Sequence, residues 1–387
     1  MIWNHRDRAK RSEVPKTICE LLGIEYPLLA FSHCRDVVAA VSKAGGMGVL
    51  GAVSYTPDEL EIELKWIEDQ IGNLPYGVDV LIPASLKGLE NLKPEDLQGI
   101  DIKSLLPAEQ VKFLDDLLSK YSIPELTEEQ NSSGELGRLS LPTTLADIGL
   151  RHPIRLIASA LGPPPAKLVE DAHNVGVLVV ALAGTKEHAI RQKEAGVDII
   201  VAQGTEAGGH TGQIGTMVLV PEVVDAVYPT PVLAAGGIAT GRQMAAAMAL
   251  GAQGVWTGSV WLTTEEAETN PVVKQKFLKA SSSDTIRSRS RTGKPARQLK
   301  SAWTDAWESE DSPGTLPMPM QPLLVQEAIE RIDKAATSGN DGAKELANYF
   351  VGQVVGMLNS IKPTRQVVLD MIHEYVDTIQ ELQELLN

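Results

Sequence analysis

The chain has 387 residues, 43% of them hydrophobic and 22% charged, with a formal net charge of −15. That length suits one large domain with a smaller addition, and the negative charge excludes nucleic acid and anionic membrane surfaces as expected partners. Cys19 and Cys34 are the only cysteines, so no disulfide framework is expected and a reducing, cytoplasmic setting fits.

The N-terminal stretch MIWNHRDRAKRSEVPKT is basic but is followed by no apolar segment of the secretory kind, and no apolar run is long enough to span a bilayer. Short apolar runs then alternate with helical patterns. The runs are 26–30, 46–52, 77–83, 155–161, 177–183, 198–204, 231–237 and 254–259. Most are apolar on both faces, as buried parallel strands are. The intervening segments carry helix punctuation. Pro57 after Thr56 suits a first helical position, Thr185 suits an N-cap, and Gly45, Gly176, Gly196 and Gly251 suit the residue past a helix end. Eight strand–helix units predict an α/β fold of the (β/α)8 barrel type, with the barrel in 16–83 and 151–260.

Two intervals break the rhythm. Residues 84–150 are acidic and rich in Leu, Pro and Ser, which predicts an insertion after the third strand. Residues 261–387 predict a smaller, mainly helical substrate or cap region that ends in a long amphipathic helix. Gly46, Gly48 and Gly51 match GxGxxG by letter. They follow a helix and lie inside a strand, however, whereas a dinucleotide fingerprint follows a strand and opens a helix, so close packing is the better reading.

Three segments carry chemistry. VAQGTEAGGHTG (201–212) ends the sixth strand, on the face where barrels build active sites. There Gly208 and Gly209 leave room for a flat ring beside His210, a side chain suited to proton exchange near neutral pH, and Gln203 offers an amide to a heterocycle edge. Gly236 and Gly237 end the seventh strand just before a helix opens near Thr240, and Gly258 and Ser259 end the eighth. Two such turns on adjacent strands predict a phosphate site. No further His, Cys or carboxylate falls at ligand spacing around His210 or His33, so no metal site is expected. The basic stretch 285–300 reads either as a solvated loop or as an anion-recognition element through Arg291, Lys294 and Arg297.

Together AQGTEAGGHTG, PVLAAGGIATGRQ and GVWTGS, with PLLAFSHCRDVVAAVSKAGGMGVLGA near the N-terminus, resemble the nitronate monooxygenase (2-nitropropane dioxygenase) family of FMN-dependent barrel oxidoreductases. The resemblance implies FMN across the barrel top. Ala30, Phe31 and Ser32 would lie beneath its ring, with Asp79 and Gln203 beside it and Gly208 and Gly209 against it. Gly236, Gly237, Gly258 and Ser259 would hold its phosphate. It further implies His210 as the active-site base or substrate orienter. Outside the resemblance, His33 after the first strand reads either as a residue lining the same mouth, toward the substrate, or as a structural histidine. The expected partners are a small-molecule substrate with O2 or NAD(P)H, and a homo-oligomer is compatible with the sequence. Two departures bear on the reaction. Family members often have Pro-Met-type residues where Phe31 to Cys34 stand, and Asn where Asp79 stands. Oxidation of alkyl nitronates is the leading expectation. An FMN-dependent NAD(P)H reductase of a quinone or enoyl thioester is the alternative, ahead of a non-catalytic phosphate-binding barrel.

Overall fold

A computed structural model describes residues 17–81, 106–126 and 142–386. Eight parallel strands close into a barrel: β1 (Leu28–Ser32), β2 (Met47–Gly51), β3 (Tyr76–Leu81), β4 (Leu156–Ala160), β5 (Leu178–Ala183), β6 (Ile199–Gln203), β8 (Val232–Ala235) and β9 (Gly254–Thr257). The two-residue β7 (Gly209–His210) lies outside the barrel, which closes by pairing β9 with β1. Each apolar run in the sequence is one of these barrel strands, with ends shifted by no more than two residues.

Alternation along the strands explains their composition. One set of side chains, including Leu29, Val49, Ala158, Val180, Val201 and Leu233, fills the barrel interior. The other set, including Leu28, Ala30, Val78, Ile157 and Ile200, packs against the helices outside. A strand buried on both faces has no place for a polar period. The helices start where their caps dictate. Thr56 and Glu59 form a reciprocal capping box ahead of Pro57–Ile71, and the Thr185 hydroxyl accepts the His188 amide at 3.2 Å. Gly45 and Gly251 follow helix ends with φ of +94° and +104°, the left-handed backbone that favours glycine. Gly48 belongs to strand packing as expected, since a Cβ there would collide with the backbone of Val38 on the crossing helix.

The structure redraws both irregular intervals. The helix Pro142–Gly149 places Leu145, Ala146 and Ile148 in the barrel's outer core, so it belongs to the barrel and the insertion ends before it. The helix Ala108–Lys120 instead joins a second core with Phe277, Trp303, Leu324 and Ile332. The final helix, Thr364–Glu384, is not part of a separate cap. It packs against the helices Gly241–Ala249 and Arg35–Lys43 and buries Val368, Met371 and Ile372 in the barrel's outer core, completing the helical ring. Glu374 fixes this crossing by accepting from the Gly241 amide at 2.8 Å and from Arg242 Nε at 2.7 Å. Between β9 and that helix the chain builds the cap, which includes the antiparallel strands β10 (Thr285–Ser288) and β11 (Ala296–Leu299). Among the described residues, no helix is long and apolar enough to cross a membrane.

Candidate active site

A cavity of about 1520 Å³ opens at the C-terminal ends of the barrel strands and runs beneath the cap. Its barrel wall holds Phe31, Ser32, His33, Asp79 and Gln203. The loops add Gly208, Gly209, His210, Gly236, Gly237, Gly258 and Ser259. Phe31 stacks on Trp256 with centroids 6.4 Å apart and planes 24° from parallel, giving an apolar platform at the base of the cavity. Asp79 and Gln203 are the two polar side chains that the described barrel strands turn inward. Burial pushes the Asp79 carboxyl up to about 7.

The loop after β6 is clamped from the cap side. β7 pairs antiparallel with β11, setting His210 opposite Ala296 and Gly209 opposite Arg297. Arg297 Nε donates to the Thr205 carbonyl at 2.9 Å and Arg287 Nη2 to the Thr211 carbonyl at 3.0 Å. His210 Nε2 meets Thr292 Oγ1 at 2.9 Å. The Thr292 hydroxyl also lies 3.1 Å from the Lys294 carbonyl; when it donates there, the imidazole carries its proton on Nε2 and presents Nδ1 as a lone pair. Burial, then the neighbouring Lys294 charge, lowers the His210 pKa to about 4. The ring is therefore neutral at neutral pH. His33 is half-buried, and its Nδ1 contacts the Gly51 carbonyl at 2.9 Å. Burial lowers its pKa, opposed by that contact.

The glycines divide by task. Gly209 (φ +72°) and Gly258 have open space where a Cβ would stand, so both present bare backbone to the cavity. Gly208 serves packing instead, because a Cβ there would meet the Val351–Gly352 backbone at 2.9–3.0 Å. Gly236 and Gly237 have φ of +90° and +73°, and the amides of Gly237, Ile238 and Gly258 have no backbone or side-chain acceptor among the described residues. Free amides on adjacent turns suit a phosphate. The Gly241 amide does not contribute to this cradle, because Glu374 already occupies it. Thr211 Oγ1 and Gln192 Oε1 also line the cavity, are buried and lack a hydrogen-bond partner, so polar atoms of a ligand would satisfy them.

Three expected site residues lie elsewhere. Ala30 faces the outer core and is fully buried. Arg297 is consumed by the Thr205 carbonyl and Thr285 Oγ1. Arg291 is 9% exposed and donates to the Asn348 carbonyl and, at 2.8 and 3.0 Å, to its Oδ1. Neither guanidinium lines the cavity, and each is held by these contacts. Of the basic candidates, only Lys294 lines the cavity. Arg291→Ala is thus expected to destabilise the fold by about 2–4 kcal/mol, through lost charged hydrogen bonds and stranded acceptors on Asn348. Urea unfolding measures this, and an unchanged midpoint would refute the structural role.

The sequence pattern of the family described as Nitronate monooxygenase matches residues 17–98 and 127–374. The chain belongs to the nitronate monooxygenase family. It is accordingly an oxidoreductase on a (β/α)8 barrel. It is 61% identical over 375 residues, 95% of this chain and 98% of the relative, to "Putative monooxygenase Rv1533" of Mycobacterium tuberculosis. It is 30% identical over 377 residues, 94% and 97% of the two chains, to "Probable nitronate monooxygenase" of Staphylococcus haemolyticus. Among solved structures it resembles FabK from Thermotoga maritima, with TM-score 0.70, 26% identity and coverage of 96% and 100%. The nitroalkane oxidase of Streptomyces ansochromogenes shares the fold, with TM-score 0.75, 24% identity and coverage of 95% and 100%.

Within this family member, several site residues were not evident from sequence. Thr292, which contacts His210, lies 82 positions away and carries no local signature. Trp256 was detectable, because inward alternation along the eighth strand points it at Phe31. Cys34, Asp36 and Glu268 bring one ligand-type atom each within 4.8 Å of one another, a proximity that spacing could not reveal. Cys34 is a thiol there. Burial raises its pKa, and its Sγ donates to the Glu266 carbonyl at 3.0 Å.

Proposed function

We propose that the protein is an FMN-dependent enzyme that oxidises alkyl nitronates, and the nitroalkanes that yield them, with O2. The observation that carries this reading is the His210 arrangement. A neutral imidazole, its Nε2 held by Thr292, stands on the cavity wall beside the Lys294 charge, in the same cavity as the free backbone amides of the glycine turns. Family membership and the names of the relatives point the same way.

The residues fit the cofactor. Amides of Gly237, Ile238 and Gly258, with Ser259, would take the phosphate, the Phe31–Trp256 platform would face the ring, and Gln203 would meet its polar edge. Bound FMN would supply the two-electron oxidant, with O2 as the final acceptor. The protein's own contribution is proton handling and charge. His210 Nδ1 accepts the proton from the carbon next to the nitro group, and Thr292 holds the ring in the required tautomer. Lys294 stabilises the anion that forms. The Phe31–Trp256 platform and the cap limit water at the reacting carbon.

A second reading, an FMN-dependent NAD(P)H reductase of a quinone or enoyl thioester, is favoured by one observation. The cavity is larger than the ~300–1,000 Å³ usual for small-molecule sites. Anaerobic mixing separates the two. Bleaching of the bound flavin by nitronate, with no response to NADH or NADPH, is expected. Bleaching by a nicotinamide alone would select the reductase, and a protein that takes up no FMN would exclude both.

A further inference from the structure

The described barrel strands carry a single carboxylate. Asp79 lies on β3 between Val78 and Val80, which pack outward, so alternation turns its side chain into the barrel. It is 7% exposed, lines the cavity, and has no hydrogen-bonding or ionic partner among the described residues. Its ladder neighbours, Gly51 and Ala158, bring no charge. His33 stands over Gly51 and engages that residue's carbonyl, and on the outer face of β3 the Tyr76 hydroxyl is spent on Glu68. Elsewhere on the cavity wall stand His188, Arg191, Glu206, His210 and Lys294 and, toward the cap, Glu268, Asp333 and Lys334. None of them offsets the effect of burial on Asp79.

An ionised carboxylate in such a place is costly, because nothing replaces the water it loses. The neutral acid costs far less and gains a donor that a carboxylate lacks. We propose that Asp79 works as a carboxylic acid that donates a hydrogen bond to an acceptor atom of the flavin ring, so that ring binding takes up a proton. The inference rests on the FMN reading. A ring seated in the cavity covers the last exposed edge of the carboxyl. The acid exchanges water for a ring acceptor, whereas the carboxylate would exchange it for nothing. The occupied state therefore binds more protons than the empty one. Affinity is full at and below neutral pH and falls as pH rises, with a limiting slope of about tenfold per pH unit for one proton.

The test is FMN titration of the full-length apoprotein from pH 6 to 9, read by flavin fluorescence. Asp79→Asn keeps the size and an amide donor but does not titrate. The phosphate of free FMN titrates near pH 6 and contributes alike to both titrations, so the difference between profiles isolates Asp79. A wild-type affinity that falls above neutrality, by up to about tenfold per unit, beside a flat Asp79→Asn profile, is the expected result. Parallel profiles would overturn the proposal and leave the cofactor reading intact. Wild-type affinity that rises with pH would overturn it in favour of a carboxylate that accepts from a ring N–H. Absence of FMN binding by either protein at any pH would defeat the cofactor reading itself. Calorimetry of the wild type at pH 8, in two buffers of different ionisation enthalpy, gives the same answer without a variant. Net proton uptake is expected, and none would overturn the proposal.

Discussion

Gly237→Asp is expected to yield a folded protein that purifies nearly free of FMN. Gly237 has φ of +73°, and a Cβ there would lie 3.4 Å from Glu206 Cβ, an ordinary contact with a side chain rather than a collision with backbone. Asp is among the residues that enter this left-handed region most readily, at a cost of roughly 1–2 kcal/mol that a protein of this size tolerates. Ligand binding has no such tolerance. The new carboxylate would stand beside the free amides of Gly237 and Ile238 and near Glu206, where the phosphate is proposed to sit. Loss of two charged hydrogen bonds at about 1.5–3 kcal/mol each predicts affinity lower by roughly 10²–10⁴-fold. The ratio of flavin to protein absorbance after purification measures it, with a melting curve to establish the fold. Gly237→Ala separates strain from charge and should retain much of its FMN. Normal flavin content in Gly237→Asp would remove the phosphate from this turn.

The barrel was legible because its information is local. Each strand is a short apolar run, helices such as Pro57–Ile71, Lys186–Glu194 and Gly241–Ala249 begin at a Thr signal, and glycines follow several helix ends. The paired glycine turns were legible for the same reason. What escaped depends on contacts between distant segments. Gly208 reads as room for a ring, but the chain that fills its space is Val351–Gly352, more than 140 residues later. Arg291 and Arg297 read as anion hooks, since nothing near them in sequence says that Asn348 and Thr205 supply their acceptors. The amphipathic face of Thr364–Glu384 was plain, yet its partner was not, because the cap intervenes between β9 and the helix that completes the ring. Ala30 illustrates register. The first strand starts two residues later than its apolar letters suggest, and alternation within it sends Phe31 inward and Ala30 outward.

His210→Asn is expected to keep its fold and its FMN and to lose turnover of a neutral nitroalkane by ~10²–10⁴-fold, the usual worth of a positioned general base. FMN should remain because the phosphate cradle is made of backbone amides on other loops. The β7–β11 pairing that holds position 210 is likewise backbone, and Asn, smaller and polar, can occupy it. A preformed nitronate has already lost the proton, so its oxidation should slow far less. Burial and Lys294 lower the His210 pKa to about 4, so the base is ready at any pH well above that value and is lost only as pH falls through it. Wild-type kcat/KM for the nitroalkane should therefore show no acid limb near pH 6.5, where an ordinary histidine titrates. Stopped-flow flavin reduction with both substrates, from pH 5 to 8, checks the two expectations together. Equal slowing of nitroalkane and nitronate would make His210 a residue that shapes the pocket. No slowing of either, with FMN still bound, would place the proton-accepting group elsewhere in the cavity and deprive the nitronate reading of its chemical basis.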